Sequence, residues 1–333
     1  MNRQILLASR PTGLPTEANF RMVEAPVPRA GEGEVVVRNH FLSLDPYMRG
    51  RIGDAKSYAK PVEIDEVMIG GTAGEVVESR NPRFAVGESV VGALGWSEYG
   101  VSDGKGLARV DTRVAPLSVY LGALGMPGVT AWVGLIDIAA PKAGETVVVS
   151  AAAGAVGSVV GQLAKAHGAR AVGIAGGAGK CAYVTGELGF DACVDYKAGR
   201  LYEDLKAAAP NGIDVYFDNV GGEILDAVLA RTNPFARIAV CGMISLYNAV
   251  SANDVYAIRN LRAVLTNRIR MQGFIVNDRM ELWPKALAEL KSLFAAGKLK
   301  YRETVLQGLE NAPAGLIGLL QGRNLGKQLV RLV

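Results

Sequence analysis

A short turn of small residues carries the clearest chemical signal in this chain. The β-branched run Glu145–Ser150 leads into the spacing Ala152-x-Gly154-x-x-Gly157, and an apolar helical pattern starts at Val156. Backbone N–H groups and the helix dipole favour a negative charge at such a helix N-terminus. The spacing is the fingerprint of dinucleotide binding with alanine in place of the first glycine. We therefore predict that the pyrophosphate of a dinucleotide binds at this turn.

The segment after the next predicted strand indicates which dinucleotide binds. An NAD site usually carries an Asp or Glu about 20 residues further on, where it binds the ribose 2′-hydroxyl. Here the strand leads into Gly176-Gly177-Ala178-Gly179-Lys180, and no acidic residue occurs before Glu187. A carboxylate would repel a 2′-phosphate, whereas a lysine would attract it. Lys180 is thus the predicted 2′-phosphate ligand, which favours NADP(H) over NAD; the alternative is a solvated lysine that opens a helix.

Length and composition set the broad class of the protein. The 333 residues are enough for two domains, and half of them are hydrophobic. The formal net charge is +4 and the basic residues are scattered, which argues against a nucleic-acid-binding face. Cys181, Cys193 and Cys241 show no metal or disulfide spacing, and free thiols are typical of a reducing compartment.

Targeting and membrane signals are weak in this sequence. The first ten residues have too short an apolar core for a signal peptide. The uncharged stretch 114–136 is long enough to span a bilayer, but Pro116 and Pro127 would break a spanning helix. We therefore expect a cytoplasmic protein without a membrane partner, in which this stretch is buried core.

The spacing of apolar runs changes along the chain and predicts two domains of an α/β protein. The first ~120 residues contain short apolar runs separated by Gly and Pro turns, which indicate an antiparallel β domain. From Met126 onward, strands alternate with helices and predict a doubly wound parallel sheet, the Rossmann fold. The predicted strands are 146–150, 170–175, 192–196, 213–218, 236–242 and 270–275, and a longer helix is predicted at 279–297.

A short tail follows the predicted sheet. It contains a strand-like run at 301–307, a helical segment at 313–321 and a final run at 327–332. Because the tail is too short to be a domain, we expect it to return to the first one. The predicted boundaries are 1–125 with 299–333 for the β-rich substrate domain, and 126–298 for the NADP-binding domain.

Several segments carry a resemblance to a known family. They are Asn39–Arg49, Gly125–Ala131, Ser150–Lys165, Phe217–Gly222, Cys241–Asn248 and Met271–Phe274. With them the chain resembles the zinc-free medium-chain dehydrogenase/reductases, in the branch of leukotriene B4 dehydrogenase, prostaglandin reductase, alkenal double-bond reductase and bacterial curcumin reductase. The resemblance implies a GroES-like β-rich catalytic domain beside a Rossmann domain. It also implies a homodimer and NADPH-dependent reduction of the C=C bond of α,β-unsaturated ketones and aldehydes.

The resemblance also implies which residues contact the cofactor. The pyrophosphate is expected at Gly154, Ala155, Val156 and Gly157, and the 2′-phosphate at Lys180 and Tyr196. Further contacts are expected from Met126, Thr130, Asn219, Cys241, Gly242, Ile244 and Ser245. The backbone of Phe274, Ile275 and Val276 is expected beside the nicotinamide carboxamide, and Asn324 is expected to reach the cofactor from the tail. For Tyr196 and Asn324, an ordinary strand-end tyrosine and an ordinary turn asparagine are open alternatives.

Reduction of an enone develops negative charge on its oxygen, which needs a hydrogen-bond donor that strengthens in the transition state. Tyr247 is the first candidate and Tyr47 the second, since a phenol is a neutral donor at physiological pH. The cofactor's own ribose 2′-hydroxyl is an alternative donor, in which case the tyrosines line the pocket and orient the substrate.

The ligand set of a catalytic zinc is missing from the sequence. The only histidines are His40 and His167, and no cysteine precedes Cys181. Three protein ligands are therefore not available in the usual pattern, and no metal site is predicted. Two other functions stay open: an NADPH-dependent quinone oxidoreductase of the same superfamily, and a regulatory protein that keeps NADPH as a structural ligand. The scattered charge disfavours an RNA-binding version of the latter.

Overall fold

The computed structural model describes residues 1–55 and 57–333, and these form two compact units. The first unit comprises Met1–Leu121 with Glu303–Val333, and the second comprises Gly122–Arg302. The borders expected from the sequence, after residues 125 and 298, lie within a few residues of these.

Short strands dominate the N-terminal segment, as the pattern of apolar runs and Gly/Pro turns predicts. Its elements are β1 (Asn2–Leu7), β2 (Phe20–Ala25), β3 (Val35–Ser43), α1 (Met48–Arg51), β4 (Thr72–Ser79), β5 (Ser89–Gly92), β6 (Tyr99–Ser102) and β7 (Ala108–Arg109). β1 and β2 form an antiparallel pair of their own, and β3 pairs with both β4 and β6. The apolar runs of the sequence at 34–38, 75–78, 88–91 and 107–110 predict strands and correspond to β3, β4, β5 and β7, whereas β1, β2 and β6 were not predicted.

The second unit contains the six-stranded parallel sheet. Its elements are α2 (Met126–Trp132), β8 (Thr146–Ser150), α3 (Gly157–Ala166), β9 (Arg170–Ala175), α4 (Ala178–Gly186), β10 (Ala192–Asp195), α5 (Leu201–Ala208), β11 (Ile213–Asp218), α6 (Gly222–Leu229), β12 (Thr232–Val240), α7 (Arg262–Thr266), β13 (Arg270–Gly273) and α8 (Trp283–Ala295). The order β10-β9-β8-β11-β12-β13 confirms the doubly wound prediction. Ligands of such sheets bind at the carboxyl ends of the strands, where the order reverses between β8 and β11.

Three predicted elements of this unit differ from the structure by two or more residues at one end. The strand expected at 236–242 is β12, which begins earlier, at Thr232, and ends at Val240. The helix expected at 279–297 begins only at Trp283, because Pro284 has no N–H and belongs in a first helical turn. A 3₁₀ segment precedes it, and Arg279 has non-helical torsion angles there. The strand expected at 270–275 ends at Gly273.

The uncharged stretch 114–136 folds as buried helical segments. It covers a 3₁₀ helix at Leu117–Leu121, α2 and the start of a π-helix at Val133–Ala139. Most of its side chains are buried, as expected. Among the described residues, no helix is long and apolar enough to cross a membrane.

The tail completes the sheet of the first unit. It contains β14 (Glu303–Gln307), α9 (Ala312–Leu320) and β15 (Lys327–Arg331). β15 lies between β14 and β3, parallel to the former and antiparallel to the latter. The resulting sheet of seven strands is therefore mixed: the strands from the first ~120 residues pair antiparallel, as expected, and the tail adds the parallel pair β14–β15.

Candidate active site

The predicted pyrophosphate turn lies at the carboxyl end of β8. All five residues of β8 are buried, and Gly154, Ala155 and Val156 follow in partly exposed positions before α3. A Cβ atom on Gly157 would lie 2.4 Å from the Ala151 carbonyl oxygen, so only glycine allows this approach of helix and strand. The Gly154 N–H donates to the same carbonyl at 2.9 Å, which closes the turn.

Asn219 ties the end of β11 to the end of β8. Its backbone N–H donates to Ser150 Oγ at 2.9 Å, and its side-chain Nδ2 donates to the Ser150 carbonyl at 2.8 Å. The side chain is therefore fixed at the crevice between the two central strands. This is the edge of the sheet where a ligand is expected.

Asp218 holds the loop that carries Asn219, and sequence reasoning did not single it out. Its Oδ1 accepts hydrogen bonds from Tyr216 Oη at 2.8 Å and from the N–H groups of Val220 and Gly221, both at 2.9 Å. Its Oδ2 is buried without a hydrogen-bond partner among the described residues. Burial raises the pKa of this carboxyl. The sequence signal that could have identified Asp218 is an acidic residue at the end of an apolar strand.

The loop after β12 is bonded to the loop after β11. The N–H groups of Cys241 and Gly242 donate to the Asp218 carbonyl at 2.8 and 3.1 Å. Ile244 N–H donates to the Asn219 carbonyl at 3.3 Å, and Ser245 Oγ donates to the Val220 carbonyl at 2.6 Å.

Tyr247 lies close to the same two loops. A Cβ atom on Gly242 would lie 3.2 Å from the Tyr247 hydroxyl oxygen and 3.4 Å from the Asn219 carbonyl oxygen. The structure thus brings Asn219, Gly242 and Tyr247 together at one end of the sheet. Glycine at 242 leaves that space free of a side chain.

The remaining predicted contacts of the second unit lie on α2 and after β13. Thr130 Oγ1 donates to the Met126 carbonyl at 2.8 Å, so its proton is used within α2. The Phe274 ring packs edge-on against Phe217, with ring centroids 6.2 Å apart. Ile275 and Val276 follow outside any strand. Because the Phe274 ring is held by packing, a ligand at these three residues would contact mainly backbone.

A basic cluster surrounds the glycines after β9. A Cβ atom on Gly176 would lie 3.0 Å from both the Tyr196 hydroxyl oxygen and Lys197 Cε. Lys180, in the first turn of α4, is half-buried, and its pKa is lowered by burial and by the charge of Lys197. Asp195 also lies here, but its Oδ1 accepts from the N–H groups of Gly177 and Lys197 at 2.7 and 3.0 Å.

Lys197 adjoins both predicted ligands: its charge acts on Lys180, and its Cε and the Tyr196 hydroxyl oxygen both approach Gly176. Two ammonium groups and a phenol beside a helix N-terminus form a donor set that fits a phosphate monoester. Sequence reasoning missed Lys197 because its approach to Lys180 depends on how β9 and β10 pair. Its position directly after Tyr196 was the available signal.

Tyr47 and Asn324 belong to the first unit. Tyr47 precedes α1, and burial together with the charge of Asp45 raises the pKa of its phenol, which therefore stays neutral. The Arg51 guanidinium lies 5.8 Å from the Tyr47 ring centroid. Asn324 is buried, and its Nδ2 donates to the Gly326 carbonyl at 2.8 Å, as a turn asparagine does.

A buried ion pair lies in the same unit, next to Tyr47 in sequence. Lys327 Nζ donates to Asp45 Oδ1 at 2.8 Å and to the Leu44 carbonyl at 2.7 Å, and Ser43 Oγ donates to Asp45 Oδ2. Both charged side chains are less than a tenth exposed. The pair joins β15 to the segment that leads into α1.

Comparison with known families and proteins agrees with this architecture. Residues 3–110 match a family described as the N-terminal domain of oxidoreductase, and residues 155–292 match one described as zinc-binding dehydrogenase. Within residues 1–55 and 57–333, no group of three or more His, Cys, Asp or Glu side chains is placed to hold a metal ion.

Individual relatives are similar over nearly their whole length. The chain is 48% identical over 335 residues to the NADPH-dependent curcumin reductase of Escherichia coli, covering 99% of this chain and 97% of the relative. It is 44% identical over 336 residues to the NADP(+)-dependent 2-alkenal reductase of Nicotiana tabacum, with the same coverage. The crystal structure of CurA from Vibrio vulnificus in complex with NADPH matches with a TM-score of 0.95 and 48% identity over 99% of both chains. The chain thus belongs to the zinc-free medium-chain dehydrogenase/reductases, in the branch of the curcumin, 2-alkenal and prostaglandin reductases.

Proposed function

We propose that this protein is an NADPH-dependent reductase of the C=C bond of α,β-unsaturated ketones and aldehydes. The observation that carries the cofactor assignment is the cluster of Lys180, Tyr196 and Lys197, where an NAD enzyme would carry an acid for the ribose. Similarity to enzymes named curcumin reductase and 2-alkenal reductase supports the substrate class. When bound, NADPH supplies a hydride, which reaches the β-carbon of the substrate.

The chain's own residues are proposed to position the cofactor and to stabilise the substrate oxygen. The turn 154–157 offers backbone N–H groups to the pyrophosphate, and Asn219 lies on the ribose side of the nicotinamide. Tyr247, whose hydroxyl lies beside Gly242, is the first candidate to donate a hydrogen bond to the enolate oxygen. Tyr47 is the second, and its raised pKa keeps it a neutral donor. The α-carbon then takes a proton from water.

Isotope labelling tests the reaction type directly. With 4-deuterated NADPH, deuterium should appear on the β-carbon of an enone, and a reaction in D₂O should label the α-carbon. Deuterium from the cofactor on the carbonyl carbon, giving an allylic alcohol, would overturn the assignment. A panel of enones, enals and simple quinones should show faster turnover of the first two classes, and a clear preference for quinones would favour the quinone oxidoreductase alternative.

The second unit offers an edge for a homodimer, which we also propose. All four residues of β13 are exposed at the end of the six-stranded sheet, and an unpaired edge is a template for another strand. Phe235, Leu261 and Leu265 are 64%, 59% and 79% exposed in the same unit. Light scattering should give a dimer mass, and Leu265→Lys should shift it towards the monomer. A monomeric wild type at micromolar concentration would contradict the proposal.

We also propose a cytoplasmic location, on the basis of the state of the cysteines. The three cysteines are free thiols, which fits a reducing compartment such as the cytoplasm.

A further inference from the structure

Two cysteines that are 12 residues apart in sequence approach each other between α4 and β10. Cys181 lies in the first turn of α4, Cys193 lies in β10, and their Sγ atoms are 3.1 Å apart. This is less than the ~3.5–4.0 Å that suits non-bonded carbon atoms, and about 1 Å longer than the ~2.05 Å of a disulfide. Both are free thiols in the structure, and their spacing along the chain did not indicate this approach.

The pairing of β9 with β10 creates the approach. Cys193 lies opposite Gly173 in the parallel register. A Cβ atom on Gly173 would lie 2.8 Å from Val184 Cγ1 of α4 and 3.3 Å from Cys193 Sγ. Because glycine leaves this space empty, the sulfur of Cys193 lies against the underside of α4. A larger residue at 173 would force strand and helix apart.

The two thiols differ in their chemical roles. Burial raises the pKa of both, and more strongly that of Cys193. The Cys193 S–H donates to Cys181 Sγ, which stabilises a thiolate at Cys181 and disfavours one at Cys193. Cys181 is therefore the first nucleophile and Cys193 the resolving thiol.

Both cysteines adjoin the basic cluster. Cys181 directly follows Lys180, and Cys193 lies in β10, shortly before Tyr196. Closing the sulfur–sulfur distance by about 1 Å must move the first turn of α4 towards β10 or rotate both side chains. A shift of that turn alters the position of Lys180 relative to Tyr196 and Lys197, whereas rotation of the cysteine side chains alone would leave Lys180 in place.

We propose that Cys181 and Cys193 form a reversible dithiol–disulfide modification site whose oxidation weakens binding of the cofactor's 2′-phosphate. The oxidant is a low-molecular-weight disulfide of the glutathione class. The Cys181 thiolate attacks one of its sulfurs, which forms a mixed disulfide and releases one thiol. Cys193 then loses its proton and attacks Cys181 Sγ, which releases the second thiol. The protein loses two electrons and two protons, and the reagent disulfide becomes two thiols. The coupling to cofactor binding rests on the proposed function, whereas disulfide formation does not.

Peptide mapping tests disulfide formation without any assay of activity. Trypsin cleaves after Lys180 and Lys197, so a single peptide from Cys181 to Lys197 contains both cysteines. After incubation of the folded protein with glutathione disulfide, this peptide should be lighter by two hydrogen atoms. In Cys181→Ser and Cys193→Ser it should not become so. A wild-type peptide that stays reduced while the protein remains folded would overturn the proposal.

Calorimetry with cofactor fragments tests the coupling. The oxidised protein should bind adenosine 2′,5′-bisphosphate about tenfold more weakly than the reduced protein, within the usual range of coupling between sites. Adenosine 5′-monophosphate should bind both forms equally. By linkage, the bisphosphate should make the disulfide harder to form by the same factor in a glutathione redox buffer.

Variants of Cys181 and measurements on the reduced protein distinguish a failure of the redox coupling from a failure of the NADP assignment. Cys181→Ser and Cys181→Ala should keep the reduced affinity and lose the response to oxidant, with unchanged circular dichroism. Equal bisphosphate affinity in both redox states would overturn the coupling. If the reduced wild type binds the bisphosphate no better than the monophosphate, the NADP assignment fails, while the peptide result still decides the disulfide.

Discussion

Lysine side chains have opposite surroundings in the two units. In the first unit, Lys327 is buried against the Asp45 carboxylate at 2.8 Å. In the second, Lys180 is half-buried, and its pKa is lowered by burial and by the charge of Lys197. The charge of Lys327 is balanced inside the fold, whereas those of Lys180 and Lys197 add together. The sign of its neighbours, more than its burial, distinguishes the lysine that holds the fold from the lysine that we propose binds an anion.

Replacing Lys327, whose charge is balanced by Asp45, should have the largest effect, on the stability of the fold. Lys327→Met leaves the Asp45 carboxylate buried without its counter-charge, and the free energy of unfolding should fall by about 3–5 kcal/mol. Urea denaturation measures it. Lys180→Met is the matched control and should change stability by less than about 0.5 kcal/mol. Adding Asp45→Asn to Lys327→Met should recover part of the loss. If Lys180→Met lowered the free energy of unfolding as much as Lys327→Met, the difference between the two lysines would be contradicted.

The two candidate donors also lie one in each unit. Tyr247→Phe removes the hydroxyl and keeps the ring, so kcat should fall about a hundredfold with a smaller change in KM for the enone. Tyr47→Phe should mainly raise that KM. Steady-state kinetics with a saturating cofactor measures both. A larger loss of kcat in Tyr47→Phe would move the donor to the first unit, and little loss in either would assign it to the ribose hydroxyl.

Cofactor preference tests the proposed roles of Lys180 and Lys197. Lys180→Ala should weaken NADPH by about 1–3 kcal/mol, the range for a hydrogen bond to a charged group, and leave NADH nearly unchanged. Lys197→Ala should act in the same direction by a smaller amount. The ratio of kcat/KM for the two cofactors is the measurement. Equal losses with NADPH and NADH would show that the cluster does not bind a 2′-phosphate.

The smallest effect concerns the buried carboxyl that holds the Asn219 loop. Burial raises the folded-state pKa of Asp218, so its stabilising contribution is complete below the unfolded value of about 3.9 and is lost as pH rises through the folded value. Asp218→Asn cannot ionise and should gain stability relative to wild type as pH rises above about 4. Parallel urea titrations at several pH values give this difference. A pH-independent difference would show that burial does not govern this group.

The nucleotide-binding sheet was predictable because its strands are local patterns. Apolar β-branched runs such as Thr146–Ser150 are bounded by glycine turns, and each strand of a parallel sheet is covered on both faces. β2 was missed because half of its residues are exposed and no apolar run marks it. The start of α8 was misplaced because charged residues before Pro284 continue a helical pattern.

The candidate site could be predicted only where its residues lie together in one short segment of the chain. The turn 154–157 and Lys180 belong to short motifs, and their positions follow from one strand and one helix. Lys197, Asp218 and the Cys181–Cys193 approach depend on which strands become neighbours. That order is set by the packing of the whole unit, so spacing along the chain does not show it.

The position of β15 affects the order in which the chain can fold during synthesis. Residues 41–43 of β3 pair with β15, and Asp45 obtains its counter-charge from Lys327, so both depend on residues 327–331. The ribosome therefore releases the first third of the protein long before that part can finish its sheet. Residues 122–302 contain every strand of their own sheet, so they can complete it during translation. The segment made first is then the one that finishes folding last, and its unpaired β3 edge is what a chaperone would have to cover until then.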